Sequence, residues 1–460
     1  MKQFRPIHGI LGVAFACAAL LLSSASPRQE GRTWEVARGG YDTLFHTLPL
    51  RPQGLQFPGG RQAFERFHER LAAPMVDGHG AVRVVHIGGS HVQAGWMGDR
   101  IRERWLEGPG SACSRGLIAP YRMAGTNTPP RVRTEFTRHW NGTRCSRSRH
   151  QGPFGGVGLS AVTFDSAATW WHAVTRSDSS AYATSRITVL ADAQGLLPVW
   201  DGADSTVRVR RTALEHGAGW VLELTPAVDT LFLGLEPDSV GGDAPRWFRL
   251  HGLVAEQPEC PCEGLVYHEI GNNGASTASV LRGAGDAAFH RDWAVLDPDL
   301  VIFGLGINDA HGPATRFDPE GFTARYDSLI GLIRQTQPDA AFLFLTNTDS
   351  FYGRRPNPSA LAVREAMFEV AARHGAAVFD LFDAMGGLGA MEVWREAGYA
   401  RSDRIHFTRE GYRVIADLYW DALLGDWAKS QAVSRRRIQI PSPARGREFT
   451  PPTDSTAWKS

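Results

Sequence analysis

The chain has 460 residues and a formal net charge of +1, with 43% hydrophobic and 21% charged residues. That is the makeup of a folded globular protein of about two or three domains, with enough chain to bury a sizeable core. A balance this close to neutral excludes a chain-wide field that would draw it to nucleic acid or to an acidic partner.

At the N-terminus Lys2 and Arg5 precede an apolar run from Ile10 to Leu22, and small residues follow around Ser24 and Ala25. This is the pattern of a secretory signal. Residues 1–25 are therefore expected to direct export to a periplasmic or extracellular space or, if uncleaved, to tether the chain to a membrane. No later segment approaches the ~20 apolar residues needed to span a bilayer. Residues 26–60 are rich in Pro, Gly and Arg and read as a linker or lightly ordered arm.

Residues 61–73 place Phe64, Phe67 and Leu71 at helical spacing. A β-branched run over 82–87 follows and stops at Gly88 and Gly89; Ser90, His91 and a second helical pattern come next. The second half alternates cleanly. Apolar strands "DLVIFGLG", "AAFLFLTN" and "AAVFDLF" are separated by amphipathic helices, one ending at Gly375, and a closing helix has Thr408 as its N-cap and Glu410 in its first turn. Continuous apolar strands between helices imply a parallel sheet covered on both faces, and the strand at 82–87 belongs to it. The stretch from about 150 to 255 differs. Its short alternating runs, divided by Gly, Asp and Pro, imply an antiparallel β-sandwich that interrupts the α/β domain. The tail beyond about 430 is basic, Pro-rich and aperiodic, and is expected to be disordered.

Beyond Cys17, four cysteines remain: Cys113, Cys145, Cys260 and Cys262. An even number in an exported chain permits disulfides. Cys113 can pair with Cys145, and "CPC" at 260–262 can close a tight loop or pair outward. The spacing is not the CxxC of a zinc site, so no metal is expected.

Four places fall at or just beyond the carboxyl edge of the expected sheet, where ligands of such folds bind. They are Ser90 after the first strand, Gly274 in "NNGAS", Asn308 in "GIND", and Asp403 with His406 in "DRIH". Acyl transfer needs these types: a hydroxyl nucleophile, a base titrating near neutrality, a carboxylate to orient the base, and N–H donors for the oxyanion. Taken alone, Ser90 reads as a helix cap, Asn308 as a turn residue and His406 as a satisfied polar group. Asp309 reads as a support for its loop, Gly306 and Gly274 as permitting positive φ or close approach, His86 as strand packing, and His91 as a neighbour of the site. Trp96, Trp170, Trp171 and Trp200 could stack on sugars, although core packing is the commoner role.

In order, the four motifs resemble the blocks of the SGNH hydrolases, a branch of the GDSL esterase and lipase family. The resemblance covers about 80–125 and 262–428 but not the middle module. It implies a flavodoxin-like three-layer α/β/α domain with a parallel sheet, interrupted by an inserted β-sandwich. On this expectation residues 61–125 and 262–428 form the hydrolase domain, residues 126–261 form a carbohydrate-binding-like module, and residues 429–460 are the tail. It implies Ser90 as nucleophile, His406 as base and Asp403 as its orienter. The oxyanion hole comprises the Ser90 and Gly274 N–H groups and the Asn308 side chain. It implies no cofactor. The family usually carries Asp before this serine, where Gly89 stands here. The arrangement also resembles polysaccharide and peptidoglycan O-acetylesterases. The expected substrate is an acylated glycan or small ester, with no nucleic-acid partner. An O-acetyltransferase, or a non-catalytic glycan binder on a degenerate site, are the alternative expectations; the oligomeric state is open.

Overall fold

The computed structural model describes residues 41–108, 112–217, 219–239, 244–260 and 264–433. The signal pattern, residues 26–40 of the arm, Cys262 and the tail from 434 lie outside the described residues.

Five strands form the parallel sheet: β1 (Ala81–Gly88), β2 (Gly264–Gly271), β3 (Leu300–Gly304), β4 (Ala341–Leu345) and β5 (Ala377–Phe379). They lie in the order β2-β1-β3-β4-β5, with every pairing parallel. Successive strand residues point to opposite faces, so each strand supplies two cores. Val82, Val84, Tyr267 and Ile302 pack under the helices Gln62–Ala72, Trp96–Glu107 and Arg409–Val433. Val85, Ile87, Ile270 and Phe303 pack under Ala287–Leu296, Pro319–Thr336 and Ala360–His374. This is the three-layer arrangement that continuous apolar strands demand. The strand order reverses between β1 and β3, which opens a crevice at their carboxyl ends.

Part of the expected linker is packed structure. Tyr41, Leu48 and Leu50 are buried in the first core. Gln56 exchanges two backbone hydrogen bonds of 2.8 Å with Val378. The segment covers the otherwise open edge of β5, as exposed edges require.

Between the helix Trp96–Glu107 and β2 the chain builds two antiparallel sheets of seven and four strands. Their shared core includes Trp170, Val189, Leu222, Leu233 and Phe248. The strand Gly116–Ile118, expected within the α/β part, pairs instead with Trp247–Glu256 of this module. A disulfide joins Cys113 to Cys260, 147 residues apart, with Cα atoms 6.5 Å apart. It staples the start of the insertion to its end, beside the bridge between Ala112 and Gly264. The Cys113–Cys145 pairing is thereby corrected: Cys145 is buried and unpaired. Its backbone N–H bonds Gly158 O at 2.9 Å, and its Cβ lies 3.1 Å from where a Cβ on Gly283 would stand. Spacing in sequence carried no information about this, because the module's path decides which cysteines meet.

The module is also tied down electrostatically. His251 on Trp247–Glu256 lies 3.1 Å from Asp292 on the helix Ala287–Leu296 and 3.4 Å from Asp192. Burial by itself would lower the His251 pKa, but the two carboxylates outweigh it and raise the ring to about 9. Among the described residues no helix is long and apolar enough to cross a membrane.

Candidate active site

β1 stops where glycines let the next turn fold down onto the sheet. A Cβ on Gly88 would stand 2.3 Å from Val92 Cγ2, and one on Gly271 would stand 2.1 Å from the Gln93 nitrogen. With neither present, the short helix Ser90–Gln93 sits directly on the ends of β1 and β2. Gly89 is its N-cap, so Ser90 is the first helical residue rather than the cap. The Ser90 hydroxyl instead lies 2.8 Å from His406 Nε2.

His406 comes from the loop before the last helix. That loop is pinned by the Ala400–Phe407 bridge and by the Arg401 N–H donating to His406 O at 2.8 Å. Asp403, three residues back, lies 2.8 Å from His406 Nδ1 through Oδ2. Its Oδ1 accepts from the Ile405 and His406 N–H groups, each at 2.9 Å. Burial disfavours the charged carboxylate, but these hydrogen bonds outweigh it and hold Asp403 well below the usual carboxylate range. A carboxylate so held fixes the ring with its Nδ1 proton toward Asp403 and its Nε2 lone pair toward Ser90.

Asn308 lies on the short helix Ile307–Ala310, directly after β3. The turn into it passes through Gly306 at φ 145°, where a Cβ would stand 2.8 Å from Val363 Cγ1. One amide N–H of Asn308 is donated to Ala275 O at 2.9 Å, which aims the group and leaves the other available to a bound oxygen. Gly274, at φ 77°, follows β2. Its neighbour Asn273 donates its N–H to Gln93 Oε1 at 2.6 Å. Gln93 in turn donates to Asn127 O at 2.8 Å. Ser90, Gly274, Asn308 and His406 all line one open cleft, so the structure brings all five sequence-derived site residues together.

The neighbours have separate tasks. Asp309 accepts from the Thr277 N–H at 3.1 Å and from its hydroxyl at 2.5 Å, holding the loop after Gly274 against β3. His91 bonds Tyr412 OH at 2.9 Å, and its ring centroid is 5.4 Å from that of His406. Burial first, and the nearby His406 second, push His91 down to about 3. It stays neutral and packs against the other imidazole. His86 is buried against Tyr267 OH at 2.9 Å, and burial pushes it to about 3. Of the tryptophans, Trp96 lines the cleft, Trp170 is core, and Trp171 and Trp200 pack on Phe232. Sequence reasoning missed Gln93 and Tyr412. Neither belongs to a motif, and their tasks depend on contacts with residues far along the chain.

A Cβ on Gly89 would stand 3.0 Å from Asn308 Nδ2 and 3.5 Å from Ala275 O. The glycine therefore lets the Asn308 amide approach the turn closely, and the Ser90–His406 contact forms without a side chain there.

Residues 237–414 match the model of the GDSL-like lipase/acylhydrolase family. The matched segment holds Gly274, Asn308, Asp403 and His406. Ser90 lies before it, because the inserted module separates the first motif from the rest. Among solved structures, a peptidoglycan O-acetylesterase is similar at a TM-score of 0.64 and 22% identity, over 82% of this chain and 99% of that one. LAE5, an alpha/beta hydrolase from the metagenome of Lake Arreo, Spain, matches at 0.28 and 25%, over 35% and 72%. An acetylxylan esterase from Geobacillus stearothermophilus matches at 0.28 and 15%, over 36% and 74%. No curated protein matches the chain. Over residues 237–414 the chain is similar to the GDSL-like lipase/acylhydrolase family, and with its inserted antiparallel module it shares the overall fold of a peptidoglycan O-acetylesterase.

Proposed function

We propose that the protein is an exported serine esterase that removes acyl groups, with acetyl the leading choice, from a cell-wall or extracellular glycan. The observation that carries the mechanism is the unbroken series Ser90 Oγ, His406, Asp403, with 2.8 Å at each step, opening on the cleft shared with Gly274 and Asn308.

Ser90 Oγ attacks the ester carbonyl carbon as His406 Nε2 takes its proton. The charge that develops on the carbonyl oxygen is met by the Ser90 and Gly274 N–H groups and the Asn308 amide. Asp403 stabilises the imidazolium without taking its proton. The tetrahedral adduct collapses, His406 gives the proton to the departing sugar oxygen, and the acyl group stays on Ser90. Water, deprotonated by the same imidazole, then attacks the acyl-enzyme, releasing the carboxylic acid and restoring the serine. Export rests on the N-terminal pattern of Lys2, Arg5 and the apolar run. The glycan assignment rests on that export, on the likeness in fold to a peptidoglycan O-acetylesterase, and on the module beside the cleft.

The test is hydrolysis of p-nitrophenyl acetate and of acetylated glycans by wild type and Ser90→Ala, with phosphonate labelling of Ser90. Turnover lost in Ser90→Ala and label on Ser90 support the reading. Product formed only when a sugar acceptor is present makes the protein a transferase. An inert wild type that binds glycan makes it a binder.

A further inference from the structure

The walls of the catalytic cleft are one-sided in charge. Arg122, Arg131, Arg133, Arg144, Arg147 and Arg401 line it, and no carboxylate does among the described residues. The chain as a whole carries only +1, so this is a local concentration. Three of the six arginines share two nearby carboxylates: Arg131 pairs with Asp99 at 2.6 Å, Arg122 with Glu135 at 2.7 Å, and Arg133 lies 3.9 Å from the same Glu135. Arg144, Arg147 and Arg401 have no carboxylate partner among the described residues.

Arg144 ends the strand Asn141–Arg144, and Arg147 sits in the turn that follows, its N–H bonded to Arg144 O at 3.1 Å. Arg282 locks that turn by donating to the carbonyls of Cys145, Arg147 and Ser148. It brings a further positive charge and no negative one. Arg144 Nε is buried without a hydrogen-bond partner. Burial and then the charges of Arg147 and Arg149 make its protonated form harder to hold than usual. A cationic wall that repels itself, on a turn fixed by backbone bonds, gains by taking up an anion.

We propose that Arg144 and Arg147 form a carboxylate-binding subsite of this cleft, so that the ester is carried on an acidic glycan. The carboxylate belongs either to a uronate ring or to a lactyl or peptide substituent of an amino sugar. Naming the ester-bearing substrate rests on the glycan-esterase reading; the anion subsite itself does not.

The experiment measures equilibrium binding to the full chain carrying Ser90→Ala, with three probes: an oligogalacturonate, a peptide-bearing muropeptide and a neutral xylo-oligosaccharide. The acidic probes bind about tenfold or more tighter than the neutral one, and their affinity falls as salt rises from about 50 to about 200 mM. Adding Arg144→Gln and Arg147→Gln, with the fold checked by circular dichroism, weakens acidic binding about tenfold. The tighter of the two acidic probes identifies the source of the carboxylate. Neutral and acidic probes binding alike, or an unchanged affinity in the Gln variant, overturns the subsite. If that happens while wild type hydrolyses p-nitrophenyl acetate, the esterase reading stands. If acidic probes bind but wild type is inert on every ester, the subsite stands and the esterase reading falls.

Discussion

Replacing Asn308 with Ala separates a transition-state role from a structural one. In the resting protein the Asn308 amide makes one hydrogen bond, to Ala275 O at 2.9 Å, from a side chain at the open cleft. Losing one such bond costs stability about 1 kcal/mol or less. As an oxyanion donor the same amide is worth about 2.7–4 kcal/mol of barrier, or about 10²–10³ in kcat. The oxyanion exists only in the transition state and the intermediates beside it, so KM should barely change. Steady-state hydrolysis of p-nitrophenyl acetate, run beside thermal unfolding by circular dichroism, reads both quantities. A fall in kcat of less than about fivefold, or a loss that appears in KM instead, would refute Asn308 as an oxyanion donor.

Asp403→Asn keeps the size of the side chain but lets the ring adopt the wrong tautomer; kcat is expected to fall about 10³–10⁴-fold, checked on the same ester, with folding unchanged. Gly89→Ala brings a methyl to 3.0 Å from Asn308 Nδ2, so a loss of about tenfold in kcat is expected, and undiminished activity would show that the amide can move aside freely. The folded pKa of His251, about 9, is raised above its unfolded value of about 6.5; its contribution, about 3 kcal/mol, is therefore full below about pH 6.5 and lost as pH rises through about 9. Urea unfolding at about pH 6 and about pH 10 should show this loss, and His251→Gln should flatten it. A non-reducing peptide map should join Cys113 to Cys260, and Cys113→Ser should cost about 2–4 kcal/mol of stability. A fragment joining Cys113 to Cys145 would contradict the fold around the neck of the module.

Much of this protein was legible in its sequence because the informative signals are local. Apolar runs such as that of β3 mark strands buried on both faces, helical spacing at Phe64, Phe67 and Leu71 marks a packed helix, and the glycines at 88 and 89 mark a tight turn. Ser90, Gly274 and Asn308 could be named because each follows the end of a strand, and a parallel sheet gathers strand ends along one edge; Asp403 and His406, on the loop before the last helix, were legible through their three-residue spacing in "DRIH". Tertiary structure alone decided how distant segments meet. Ser90 and His406 are 316 residues apart, and whether the hydroxyl caps its helix or faces the imidazole depends on the loop that Asp403 and Arg401 hold in place. The same holds for Cys113 finding Cys260 rather than Cys145, for residues 41–60 covering the edge of β5, and for arginines on scattered turns sharing one cleft wall. Side-chain type and periodicity are written residue by residue, whereas these pairings are set by the path of the inserted module and the packing of the layers, which no local pattern encodes.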